Sequence, residues 1–277
     1  MMELILGVAK ADERVRVVGL NGSRTNENVP KDVYRDYDAV YLVTDMESFL
    51  ADPAWIDVFG ERIILQTPEA MSLFPPSLGG WFTYLMLFED GNRIDLMLIP
   101  IEDLGKYLKN DKLLKILLDK DGRVPELPPP TDADYHTKKP TAQNFFDCCN
   151  EFFFVSTYVA KGLVRHEMPY AVDHLAFIRS MLFQMLAWEK AAPGGYTVSF
   201  GKNYKYLLDN LEAPRRAAVL RTYDSSSEVA AWNGLFTLCG LFSESAEIVS
   251  GLFGYEVKDY AQRVIPYLQA LYRRSGV

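Results

Sequence analysis

The sequence predicts an α+β protein, with a mixed-sheet domain followed by an all-α helical bundle domain. Three observations carry that reading. Within the first hundred residues, short β-branched runs alternate with turn residues, and Glu89-Asp90-Gly91-Asn92 reads as the turn of a hairpin. Between residues 119 and 141, the prolines at 125, 128, 129, 130 and 140 exclude regular structure. From Gln143 onward, apolar residues recur every three or four positions. The division this predicts is a first domain over 1–120, a proline-rich connector over 121–142 and a helical domain over 143–277.

Each element follows from local pattern. Residues 1–10 carry Leu4, Ile5 and Val8 at helical spacing and start abruptly, as if little precedes them. Strands are expected at 14–20, ending at Asn21-Gly22, and at 36–43, 62–65, 81–88 and 93–99. The hairpin makes part of the sheet antiparallel, which argues against a purely parallel doubly wound sheet. Helices are expected at 101–109 and 112–118. Beyond the connector, Phe145, Cys149, Phe152, Ser156, Val159 and Leu163 form one apolar stripe. A helix over 168–190 has Pro169 near its start and carries Leu175, Ile178, Leu182 and Met185, until Pro193-Gly194-Gly195 breaks it. Further helices are expected at 214–222, 228–238, 243–253 and 258–274, with Pro266 kinking or splitting the last.

Composition narrows the function classes. Of 277 residues, 49% are hydrophobic and 24% charged, which is ordinary for a globular chain with ample core. The net charge of −8 disfavours nucleic acid and suits a cationic partner. Cys148, Cys149 and Cys239 have neither disulfide nor metal spacing and read as buried thiols. The N-terminal segment lacks the form of a signal peptide, and no apolar run approaches a membrane span. A cytoplasmic protein without a membrane partner is expected.

The chemistry concentrates where Gly22-Ser23-Arg24 precedes Asp36-Tyr37-Asp38. Residues two apart in a strand share a face, roughly 6.5–7 Å apart, so Asp36 and Asp38 converge and call for a cation between them. Gly22 permits a tight turn and close phosphate approach, Ser23 offers a hydroxyl and an N–H, and Arg24 offers a charged fork. Asp95 lies inside an apolar strand, where an unpaired carboxylate is costly. If that strand lies beside 36–43, three carboxylates meet, suited to one or two Mg²⁺ ions and a bound triphosphate. Singly, each aspartate reads as a strand-end or capping residue, and the chemical reading rests on their combination with Gly22-Ser23.

These residues resemble the DNA polymerase β-like nucleotidyltransferase superfamily, whose signature is Gly-Ser, a loop, Asp-x-Asp and a later acidic strand residue. Longer motifs, among them residues 21–26, 88–96, 158–163, 171–175 and 200–205, resemble the bacterial aminoglycoside 6-adenylyltransferases, which modify streptomycin. The resemblance implies transfer of AMP from ATP to a drug hydroxyl, with a catalytic first domain and a substrate-binding helical one. It implies Asp36, Asp38 and Asp95 as magnesium ligands and Asp95 also as general base. Gly22, Ser23 and Arg24 would hold the triphosphate, and Lys202 would reach the phosphates from the helical domain; as a bare residue, Lys202 reads equally as a solvated lysine. Relative to that family the first helix starts late, which suggests that part of it is missing. Residues 193–196 and 225–227 look locally divergent.

A cationic acceptor calls for acidic and aromatic side chains. Asp173, Glu151 and Tyr158 are the substrate-binding candidates, with Trp188 nearby in the helical domain and Asp147 sharing a helix face with Glu151 and Tyr158. Glu151 reads first as a solvated helix charge and Asp173 is the better candidate, while His174, Trp81 and Trp232 read as core. Two other readings stay open: a nucleotidyltransferase with a small-metabolite or protein acceptor, and a non-catalytic protein binding nucleotide or a cationic ligand. Oligomeric state and the modified hydroxyl have no sequence signal.

Overall fold

The structure, a computed structural model, describes residues 1–276. It divides into two units, Met1–Asp134 and the part beginning at Tyr135. The first is built on six strands: β1 (Val15–Asn21), β2 (Tyr37–Val43), β3 (Arg62–Gln66), β4 (Phe82–Phe88), β5 (Arg93–Pro100) and β6 (Leu114–Asp119). They form one sheet in the order β3-β4-β5-β2-β1-β6. β2 and β5 are parallel, and the other neighbours are antiparallel, so the sheet is mixed as the sequence predicts. The hairpin between β4 and β5 turns at Gly91, whose φ of 80° favours glycine. Asp90 Oδ1 accepts the Asn92 backbone N–H at 2.9 Å inside that turn.

Strand alternation gives the sheet two unlike faces. Ala39, Tyr41 and Val43 of β2 pack in one core with Ile5 and Ala9 of α1 (Met2–Ala11) and Phe49 of α2 (Met46–Ala51). Val40 and Leu42 belong to a smaller cluster with Val17, Trp81, Ile99 and Tyr107, the last from α3 (Leu104–Asn110). Asp38 has the parity of Val40 and therefore belongs to this second, more thinly covered face. Gly19 of β1 has no room for a side chain, because the Tyr107 hydroxyl occupies the place of its Cβ.

The helix expected at 112–118 is instead β6, which pairs with β1 from Val17↔Asp119 to Asn21↔Leu114. A short, nearly continuous apolar run fits either state, and here the open edge of β1 decides. Residues 120–141 contain one short 3₁₀ turn, Ala133–Tyr135, and no strand or α-helix. Thr131 N–H donates to the Lys112 carbonyl at 3.1 Å in the first unit, and Thr137 N–H to that of Val198 at 2.9 Å in the second.

The second unit consists of α4 (Ala142–Val164), α5 (Met168–Ala191), α6 (Ala213–Arg221), α7 (Glu228–Phe253) and α8 (Tyr260–Arg274). α4 starts at a capping box: Thr141 Oγ1 accepts the Asn144 N–H and Asn144 Oδ1 accepts the Thr141 N–H, each at 3.1 Å. All six residues of its expected stripe are buried. The two helices expected at 228–238 and 243–253 are one continuous α7, because Cys239, Leu241 and Phe242 at the supposed break are buried. Phe242 stacks on Phe152 of α4 at 3.9 Å between ring centroids. Joined in this way, α7 is long and apolar enough to cross a membrane by length and composition, contrary to the expectation that no run is. Its buried residues belong to the bundle core. Pro266 lies inside α8 without splitting it, since residues on both sides, from Val264 to Leu271, dock on that core.

Candidate active site

Parallel pairing of β2 with β5 sets Asp38 directly opposite Asp95. Paired residues share a face, so both carboxylates stand on the thinly covered side of the sheet. Asp36 lies one residue before β2 and Arg93 opens β5. Arg93 grips Asp95 with both nitrogens of its fork, Nε to Oδ1 at 2.7 Å and Nη2 to Oδ2 at 2.9 Å. The same Nε is 3.8 Å from Asp36 Oδ2. One arginine therefore stands among the three carboxylates.

Burial pushes the Asp38 carboxyl up to about 6, helped by the negative charge of Asp95 and Asp36 and opposed by Arg93 and Arg24. Arg93 holds its own proton more tightly than usual, chiefly through its hydrogen bond to Asp95. Burial is the larger cause for Asp38, and the neighbouring carboxylates add to it despite Arg93.

Gly22 follows β1 and starts the 3₁₀ turn Gly22–Arg24 with φ of 69°. A Cβ there would overlap Asp38 Oδ2, so this turn needs glycine for its backbone angle and for its clearance. Ser23 is half-buried, and its carbonyl accepts from Arg35 Nη1 at 3.4 Å. Arg24 folds over the Tyr37 ring at 3.5 Å. Its Nε donates to the Asp36 carbonyl at 2.9 Å and its Nη2 to that of Arg35 at 2.7 Å. Arg24 therefore braces the loop that carries Asp36, with other N–H groups left over.

A cavity of about 390 Å³ opens beside these groups, lined by Gly22, Asp38 and Asp95 together with Trp81, Thr83 and Tyr107 among others. A larger cavity of about 840 Å³ lies within the second unit. Its lining includes Asp147 and Glu151 of α4 and Phe177, Gln184 and Trp188 of α5, with Lys138 and Lys139 also on its border. Tyr204 also lines it and donates from its hydroxyl to Gln184 Oε1 at 3.0 Å. Of the three substrate candidates, only Glu151 borders this space. Asp173 is exposed on α5, and Tyr158 meets the ring of His174 edge-on at 5.6 Å. Lys202 is exposed at the start of a turn whose next two residues, Asn203 and Tyr204, have φ of 55° and 58°. The three cysteines are buried and unpaired.

Comparison with known proteins places this geometry in context. The family described as Streptomycin adenylyltransferase matches residues 1–271. The chain belongs to that family. It is 46% identical to an aminoglycoside 6-adenylyltransferase of Bacillus subtilis (strain 168) over 274 residues, covering 98% of this chain and 96% of the relative. A protein of the same name from Campylobacter jejuni is 42% identical, covering 99% and 96%. One from Staphylococcus aureus is 38% identical, covering 98% and 97%.

Within this streptomycin adenylyltransferase family member, two arginines at the site escape a reading of the acidic motif alone. Arg93 stands two residues before Asp95, the same spacing as Asp36 and Asp38, so strand alternation puts it on the carboxylate face. Arg35, next to Asp36, is tied to the carbonyl of Ser23. Asp147 forms the other half of the acidic edge with Glu151, one helical turn away.

Proposed function

We propose that this protein transfers the adenylyl group of ATP to a hydroxyl of a streptomycin-like aminoglycoside and thereby inactivates the drug. The observation that carries the reading is the register of Asp38 beside Asp95, next to the glycine turn, in a chain whose full-length relatives are named for this reaction. The drug oxygen attacks the α-phosphorus, a P–O bond forms, the bond from that phosphorus to the bridging oxygen breaks, and pyrophosphate leaves. Asp95 accepts the proton of the attacking hydroxyl. Arg93 holds the Asp95 carboxylate in one orientation from its own side, which leaves lone pairs for that proton. Gly22 N–H is held by the Leu113 carbonyl at 3.3 Å, so Gly22 supplies clearance for the phosphates and Ser23 offers them its backbone N–H and hydroxyl.

Among the described residues no three carboxylates converge as a complete metal set, so a magnesium ion here would draw on Asp38, Asp95 and the phosphate oxygens of the nucleotide. Asp38 and Asp95, opposite each other on β2 and β5, offer hard oxygen donors, and Asp36 stands at their rim. Magnesium at that position would neutralise charge on the phosphates and the departing pyrophosphate. Lys202 is assigned to the phosphates in the nucleotide-bound protein. In the helical unit, Asp147 and Glu151 beside Phe177 and Trp188 suit a cationic ligand, with Tyr158 and Asp173 assigned a secondary part. Three unpaired cysteines and an ATP co-substrate suit the cytoplasm.

Purified protein with labelled ATP, Mg²⁺ and streptomycin is expected to yield adenylylated drug and pyrophosphate in equal amounts. Absence of product across a panel of aminoglycosides would refute the assignment. Product with a different hydroxylated acceptor alone would keep the chemistry and replace the substrate.

A further inference from the structure

Thr83 lies on β4, and its residue is only 7% exposed. Its hydroxyl has no hydrogen-bond partner in the protein. Nevertheless its side chain lines the cavity that contains Asp38 and Asp95. Register explains the placement: Thr83 pairs with Met97 and Leu85 pairs with Asp95, so all four stand on the carboxylate face of the sheet. A buried hydroxyl without a partner is destabilising, and valine would fill the same volume without that cost. A group of this kind is accounted for when something that enters the cavity completes its hydrogen bonding.

The rest of the lining indicates what enters. Val40, Leu85 and Met97 give an apolar floor, and Trp81, with Lys106 Nζ 4.6 Å from its ring centroid, closes one side. Trp81 is fixed there by its indole N–H, which donates to Asp103 Oδ2 at 2.6 Å. Asp38, Asp95 and Asp111 are the charged residues of the lining, and no lysine, arginine or histidine is among them. With the triphosphate and its magnesium held at the Gly22 and Asp38 end, the rest of this lining suits a hydroxylated, positively charged ring. The cavity's volume of about 390 Å³ is at the lower end for ligand pockets, so it holds a ring or two rather than a whole trisaccharide.

We infer that this cavity is the subsite for the reacting ring of the acceptor, and that the Thr83 hydroxyl is its specificity-determining contact, two residues along the sheet from the base that takes the proton. The inference rests on the function proposed above. It adds a recognition site within the sheet unit to the cavity of the helical unit that Asp147 and Glu151 border.

The test compares wild type, Thr83→Val and Thr83→Ser in steady-state pyrophosphate release, varying streptomycin at saturating Mg-ATP and ATP at saturating streptomycin. Thr83→Val is expected to raise KM for streptomycin about five- to tenfold and to leave KM for ATP unchanged. Thr83→Ser is expected to restore most of the affinity. The melting temperature of ligand-free Thr83→Val should equal or exceed that of wild type, since no protein hydrogen bond is lost, whereas a structural role would lower it. An unchanged streptomycin KM in a folded Thr83→Val, or a rise confined to ATP, would overturn the subsite while leaving the enzyme assignment intact. A wild type inactive on every aminoglycoside would remove both.

Discussion

In the sheet unit, hydrogen-bond register places Asp38 beside Asp95, and a one-residue slip would send one of them to the opposite core. In the helical unit, Glu151, Tyr158 and Asp173 are placed by helical phase, and only Glu151 reaches the cavity between α4 and α5. The contrast separates two kinds of constraint. Adjacent strands fix which side chains meet to within a residue. A helix face is a broad stripe, and what it meets depends on how its neighbours pack. On the reading proposed above, the chemistry is built on strands, while the helical unit's share of acceptor recognition uses side chains spread along two helices. Register-bound residues should therefore respond far more sharply to substitution than helix-face residues.

The largest effect is expected at Asp95. Asp95→Asn retains the shape of the side chain and removes the base, so kcat should fall about a thousandfold while ATP binding persists. Turnover within tenfold of wild type would move the base elsewhere. Gly22→Ala comes next. It imposes left-handed strain of about 1–2 kcal/mol on alanine and drives a methyl into Asp38, so kcat/KM should fall about a hundredfold. An active alanine variant would show that the turn tolerates displacement of Asp38.

On the helical side, Glu151→Gln should raise KM for streptomycin about three- to tenfold with little change in kcat. Asp173→Asn, changing a residue outside the cavity, should stay within about twofold of wild type. Equal effects at the two positions would break the distinction drawn from the cavity lining. The last effect concerns stability rather than turnover. Folding raises the Asp38 carboxyl from 3.8 to about 6, so the folded chain binds that proton more tightly than the unfolded chain does. The folded state is favoured while Asp38 stays protonated and loses that advantage as pH rises from 3.8 through 6. Without divalent cation, Asp38→Asn should therefore be more stable than wild type by about 1–3 kcal/mol at pH 7.5, with the gap closing below pH 4. Calorimetric scans across that range would test the sign.

Much of this arrangement is legible in the sequence because strand chemistry is local. Asp-Gly between two apolar runs gives the β4–β5 hairpin, and Asp-x-Asp before Ala39-Val40-Tyr41-Leu42-Val43 gives the acidic start of β2. What escapes is settled by partners distant in sequence. Residues 114–119 become a strand because β1 offers an edge, and α7 runs unbroken because Phe152 packs beneath Phe242. Arg93 is hidden among the charges flanking the hairpin, although its spacing from Asp95 carries the signal. Thr83 reads as an ordinary strand threonine until its neighbours are seen to leave its hydroxyl unpaired.

The central claim, that Asp38 and Asp95 share one divalent cation on the face of the sheet, is tested most directly by manganese binding. Electron paramagnetic resonance titrations would compare wild type, Asp38→Asn and Asp95→Asn, each saturated with a non-hydrolysable ATP analogue. Each substitution is expected to weaken Mn²⁺ binding at least about tenfold. Wild-type affinity in either folded variant would contradict the account.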